Sequence, residues 1–147
     1  IQTRDQYLLI ISELCFLPAS DPHEYIVVEK ELSWAEAVNY CRSNHIDLAS
    51  IENSEENAKN IQLMTLGDNN AHWIGLHTEV IWKWSNGKRL SYTNWKVGEP
   101  NQGLMGRCVY LRKGHWEDDT CERPHYFICS AGKILATIPS NDDGLNV

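Results

Sequence analysis

The sequence predicts an α+β domain, on three observations. Two helix patterns with capping signals come early, short apolar runs of strand character follow, and a stretch from Ser91 to Arg107 shows little periodicity of either kind. Helices first and antiparallel strands later, around a long irregular loop, is the order of an α+β domain rather than of a βαβ repeat. A chain of 147 residues holds one such domain and is too short for two of ordinary size. The domain is expected over residues 21–131, with residues 1–20 before it and a tail at 132–147.

The β-branched run Tyr25-Ile-Val-Val28 reads as a strand. In Ser33-Trp-Ala-Glu36, Ser33 and Glu36 form a capping box. Trp34, Ala37, Val38 and Cys41 then recur at helical spacing, which turns Cys41 inward. Ile46 to Ile51 alternates like a strand, and Asn53 with Glu56 caps a second helix, whose Ala58, Ile61, Leu63 and Met64 are expected to form a buried stripe ending by Gly67. His72 to Leu76 is a compact apolar run, and Trp82 to Leu90 is an alternating segment turned by Asn86-Gly87. Strands resume at Cys108-Val-Tyr-Leu111 and Tyr126-Phe-Ile-Cys129, and Ile134 to Ile138 could add an edge strand. A structureless stretch as long as Ser91–Arg107 inside a compact domain is usually functional.

Composition excludes several classes. The formal net charge of −7, with Lys and Arg scattered, argues against nucleic acid, whose binders carry a basic patch or stripe. No run supplies the roughly 20 apolar residues of a membrane span. The five cysteines leave one over, and Cys15 is the natural candidate. It sits in the apolar run Tyr7 to Ser20, which ends in small residues and resembles the end of a secretory signal peptide cleaved near Ala19 or Ser20. The other reading of that run is a first strand or helix. With Cys15 removed, the remaining four suffice for two disulfides in a secreted, extracellular protein. His115 and His125 lie near Cys108, Cys121 and Cys129, but no C-x2-4-C pair accompanies them, so a zinc site is not expected. There is no G-x-S-x-G and no nucleophile with a partner base, so the chain is not read as an enzyme. The tryptophans read as packing anchors rather than as a sugar-stacking platform.

Taken in order, Trp34 to Cys41, Leu48 to Asn57, Trp73-Ile-Gly-Leu76, Trp84-Ser-Asn-Gly87, Tyr92-Thr-Asn-Trp95, Gly98-Glu-Pro-Asn101, Cys108 to Leu111, Trp116 to Cys121 and Tyr126 to Cys129 resemble a C-type lectin-like domain. The resemblance covers roughly residues 23 to 130. It implies a double-loop fold with disulfides Cys41–Cys129 and Cys108–Cys121. Such bridges contribute about 3 to 5 kcal/mol each by loop-closure reasoning. It further implies a cis bond before Pro100 and a calcium ion in the long loop, completed by vicinal sugar hydroxyls. Calcium needs six to eight oxygens. Glu99, Asn101, Glu117 and Asp118 are the implied metal and sugar ligands, and Glu99-Pro100-Asn101 implies a mannose-type rather than galactose-type preference.

Two positions depart from that pattern. Gly106 stands where sugar-binding relatives usually carry a carboxylate two residues before the cysteine, and Glu117 stands where they carry asparagine. Glu117 could compensate for the missing charge. Alternatively Arg107 could answer the carboxylates in place of calcium, giving a calcium-independent module that binds a protein partner. The sequence thus leads to a secreted lectin for glycans or glycoproteins, calcium-dependent through Glu99, Asn101, Glu117 and Asp118, with the calcium-independent protein binder as its rival. A single weak sugar site would call for oligomerisation or clustered ligands.

Overall fold

The computed structural model describes residues 24–64, 68–103 and 105–132. The expected leader, the tail and its edge strand at 134–138 lie outside these residues. The described elements are β1 (Glu24–Leu32), α1 (Trp34–Asn44), β2 (Asp47–Leu48), α2 (Ser54–Leu63), β3 (His72–Thr78), β4 (Trp82–Trp84), β5 (Cys108–Arg112), β6 (His115–Asp119) and β7 (His125–Ala131). They form one sheet in the order β1-β7-β3-β5-β6, with β2 paired to β7 and β4 to β3. Only the β3–β7 pair is parallel. No helix among the described residues is long and apolar enough to cross a membrane.

The central strands are buried on both faces, which is why they read as continuous apolar runs rather than as alternating ones. Alternation along each strand divides their side chains between two clusters. One holds Trp73, Cys108, Tyr110 and Phe127 with Ala37, Val38 and Cys41 of α1. The other holds Ile74, Val109, Leu111, Trp116 and Ile128, and against it pack Trp82, Leu90, Tyr92 and Trp95. The long irregular loop is therefore not a free excursion, because its aromatic residues complete the second core.

Helix α1 has the capping box read from its sequence, with the Ser33 backbone N–H donating to the Glu36 carboxylate and the Glu36 N–H donating back to Ser33. Its Cys41 is joined to Cys129 of β7, closing 88 residues, and Cys108 is joined to Cys121 across 13. In the segment 46–51 the strand proper spans only Asp47–Leu48, after which the Ala49 backbone bridges Ile128 of β7 and Gly75 of β3 and the Ala49 and Ile51 side chains enter the core. β6 is a strand that the alternation of its residues does not announce: Glu117, Asp118 and Asp119 are all buried polar residues. The tight turn Lys113-Gly114, with φ of 51° and 81°, joins it to β5. Two successive residues of positive φ are what a two-residue hairpin turn of right-handed twist requires.

Helix α2 corrects the expected stripe. Ala58, Ile61 and Leu63 are exposed and only Met64 packs against the core, whereas the buried residues are Glu56, Asn57 and Asn60. The helix covers a polar seam. Asn57 accepts a hydrogen bond from the Trp116 indole at 2.9 Å, and Glu56 accepts one from the Glu52 backbone N–H at 2.7 Å. An apolar side chain at either place would leave a buried donor without an acceptor. Asn57→Ala is therefore expected to lower stability by about 1–3 kcal/mol in urea unfolding, the cost of orphaning a buried donor. Ala58→Lys, on the exposed side of the same helix, should stay within about 0.5 kcal/mol of the parent.

Candidate functional site

The loop between β4 and β5 is fastened to β6 through Trp116. Its backbone N–H donates to the Asn94 carbonyl and its carbonyl accepts from Lys96, at 2.9 and 3.0 Å. Its ring meets Trp84, Tyr92 and Trp95 edge-on at centroid distances of 5.6–5.9 Å. From this anchor the chain turns back, with the Glu99 N–H donating to the Lys96 carbonyl, and passes through a cis Glu99–Pro100 bond. That bond sets the two side chains flanking Pro100 beside each other. The Asn101 amide donates to Glu99 Oε1 at 2.7 Å.

Asp118 takes the opposite side of this turn. Its carboxylate accepts from the Asn101 backbone N–H at 2.9 Å and from the Gln102 N–H at 3.1 Å. The Asp118 N–H in turn lies 3.5 Å from Glu99 Oε2. Glu99, Asn101 and Asp118 thus converge. Burial pushes the Glu99 carboxyl above its ordinary value of 4.5, and the adjacent Asp118 carboxylate and the charge of Glu117 push it further the same way. A like charge close by disfavours the ionised form of Glu99.

Glu117 does not join them. Neighbouring residues on a strand face opposite sides, and the Glu117 carboxylate accepts from Arg112 on both oxygens at 2.9–3.2 Å, from the Tyr110 hydroxyl at 3.1 Å and from Lys96 at 3.3 Å. Its burial would raise the carboxyl's pKa, but the bonds from Lys96 and Arg112, with the Arg112 charge, outweigh that and lower it. The glutamate at this position is held by the protein's own cations.

Gly106 has a steric reason. A Cβ built there would lie 2.1 Å from Asp118 Oδ2 and 2.3 Å from the Gln102 Cβ, distances no side chain tolerates. The space a carboxylate would need at 106 is filled by Asp118 itself. Arg107 lines a depression of about 240 Å3 with Pro100, Asp118 and Trp82, beside Thr78 and Glu79. Among the described residues no group of three or more His, Cys, Asp or Glu side chains is arranged to hold a metal by itself. What remains is two carboxylates and one amide in contact. Such a donor set supplies only part of the six to eight oxygens calcium takes, so water, backbone carbonyls or ligand hydroxyls would have to supply the rest.

These features define a disulfide-bonded, extracellular type of ligand-binding domain, in which a long loop presents polar side chains from a rigid sheet. The chain belongs to the C-type lectin domain family, whose model matches residues 30–131. It is a binding domain and not an enzyme. Perlucin of Haliotis laevigata is 38% identical over 114 residues, 71% of this chain and 74% of that protein. C-type lectin domain family 10 member A of Homo sapiens is 37% identical over 111 residues, 69% of this chain but only 34% of the longer relative. The C-type carbohydrate-recognition domain of cow CD23, solved in the presence of a GlcNAc2Man3 oligosaccharide, superposes with a TM-score of 0.64 at 31% identity, covering 71% of this chain and 84% of that one.

Two expectations follow. Gly106→Ala should destabilise the domain by about 1–3 kcal/mol, the usual cost of overpacking. It should also speed hydrogen exchange at the Asn101 and Gln102 amides, whose acceptor it displaces. Glu99→Gln should melt higher than the parent at neutral pH in EDTA. A carboxyl whose folded pKa is raised holds its proton more tightly in the folded state, so stability is lost as pH rises from about 4.5 through the raised value. The difference between the two proteins should therefore shrink as the pH is taken below about 4.5.

Proposed function

We propose that the face formed by the cis Glu99–Pro100 turn and β6 is a glycan-binding surface. Here Glu99, Asn101 and Asp118 hold calcium weakly, and a mannose-type sugar completes the site. The observation that carries this reading is the crowding of the Glu99 and Asp118 carboxylates against the Asn101 amide, an arrangement that a divalent cation would relieve. When bound, calcium would supply a positive centre for vicinal sugar hydroxyls. The chain's own side chains do the rest: carboxylates accept from those hydroxyls, and the Asn101 amide can donate to one once it turns from Glu99. The cow CD23 domain with its mannose-containing oligosaccharide supports the ligand class. Glu117, engaged by Arg112 and Lys96, acts in this reading by fixing β6 rather than as a fourth ligand.

A second reading rests on that engagement and on Gly106. With one expected carboxylate absent and another neutralised internally, the same face would bind a protein partner without calcium. The two readings separate in one measurement. In the first, about 10 mM calcium acting on a site with a Kd of about 1 mM should stabilise the fold by about 1.4 kcal/mol, with the gain lost in Glu99→Gln. A melting temperature equal in calcium and EDTA would leave the protein-binding reading. Glycan binding through one such site is weak, so the first reading also expects oligomers or clustered ligands.

A further inference from the structure

A second depression, of about 410 Å3, lies on the side of β6 facing away from Asp118. Its walls are Asn69, Lys96, Arg112, Lys113, His115 and Glu117. In a chain of net charge −7 this gathering of three permanent cations is out of keeping with the average surface. Glu117 is the single acidic side chain among the six, its own side chain 9% exposed and already committed to Arg112, Lys96 and Tyr110. That leaves charge over. Lys96 spends one of its three donors on Glu117, and its side chain is half exposed. Arg112 spends Nε and Nη2 there, while its guanidinium lies over the Tyr110 ring at 5.3 Å, which holds the plane in place. Lys113 is exposed at the tip of the β5–β6 turn, where the backbone's left-handed conformation is fixed by the hairpin. The cations thus stand on a rigid hairpin and on the loop pinned to Trp116.

We propose that this pocket is an anion subsite that takes a sulfate or carboxylate carried on a sugar, so that the preferred glycan is acidic. Glu117 keeps Lys96 and Arg112 at fixed positions while cancelling only one of the three positive charges, and Lys113 closes the third side. Because Lys96 lies three residues before Glu99, in the same loop, an acidic substituent here and a neutral sugar ring at the cis Pro100 turn could belong to one oligosaccharide. The inference rests on the reading of the domain as a glycan binder. It does not rest on calcium.

The test is calorimetric titration of the oxidised chain with three oligosaccharides of equal length, one sulfated, one built of uronic acids and one neutral and mannose-type, each in calcium and in EDTA. The expected result is that at least one acidic oligosaccharide binds in EDTA, and which of the two binds tells sulfate from carboxylate. Its affinity should fall about tenfold in Lys113→Glu and less in Lys96→Gln. It should also fall as salt rises from about 0.05 to about 0.2 M. Lys113→Glu should leave neutral-sugar binding in calcium unchanged. Acidic and neutral sugars binding alike, or Lys113→Glu and Lys96→Gln both binding as the parent does, would overturn the subsite. So would capture of phosphatidylserine vesicles through the same lysines with no acidic oligosaccharide bound. If acidic sugars bind and calcium has no effect, the calcium reading fails and the subsite stands. If only the neutral sugar binds, and only in calcium, the reverse holds.

Discussion

The fixing of Trp116 is the constraint on which the loop face depends. Its indole N–H is accepted by Asn57 of α2, its ring is enclosed by Trp84, Tyr92 and Trp95, and its backbone is paired to Asn94 and Lys96. Each edge-to-face pair of this kind is worth about 0.5–1.5 kcal/mol beyond the area it buries. One side chain therefore joins helix, sheet and long loop. Glu117 and Asp118, the next two residues, inherit that rigidity, and the geometry of Asp118 against the Asn101 and Gln102 amides is stable because the strand beneath it is.

The pleat of β6 then does what charge alone would not. Glu117 and Asp118 are adjacent in sequence and both buried, yet they live in opposite electrostatic surroundings. Glu117 faces guanidinium, ammonium and phenol, and its pKa falls despite its burial. Asp118 faces backbone amides and Glu99, whose pKa is raised first by burial and then by the adjacent Asp118 carboxylate. A strand separates neighbouring side chains to opposite faces, so one dipeptide serves two chemically different surfaces. Gly106 belongs to the same design, since any side chain there would expel the Asp118 carboxylate from its amide partners.

Much of the fold was legible because its signals are local. The capping box at Ser33 and Glu36, the inward turn of Cys41 and the Asn86-Gly87 turn each depend on residues within one helical or hairpin turn of each other. The α2 stripe was misread for the opposite reason. Periodicity marks apolar residues, but this helix buries Glu56, Asn57 and Asn60, whose partners stand elsewhere in the chain, and Trp116 lies 59 residues from Asn57. β6 escaped notice likewise, since acidic residues are poor strand signals, although the Lys113-Gly114 pair between Arg112 and His115 was a usable turn signal. At the site, the motifs implied by their resemblance that Glu99, Asn101, Glu117 and Asp118 stand together. They did not show that Glu117 turns to Arg112 and Lys96.

By itself the sequence determined the class of the molecule, the start of its first helix, the apolar strands of its core, and the place of its long loop. Those follow from short-range periodicity, from capping chemistry and from the order of its motifs. Only the tertiary structure decided which carboxylate meets which cation, why position 106 excludes a side chain, and that lysines 96 and 113 share a pocket with Arg112. The physical reason is that charge and steric fit act between residues brought together by sheet register and chain closure, over distances in space that have no counterpart in distance along the chain.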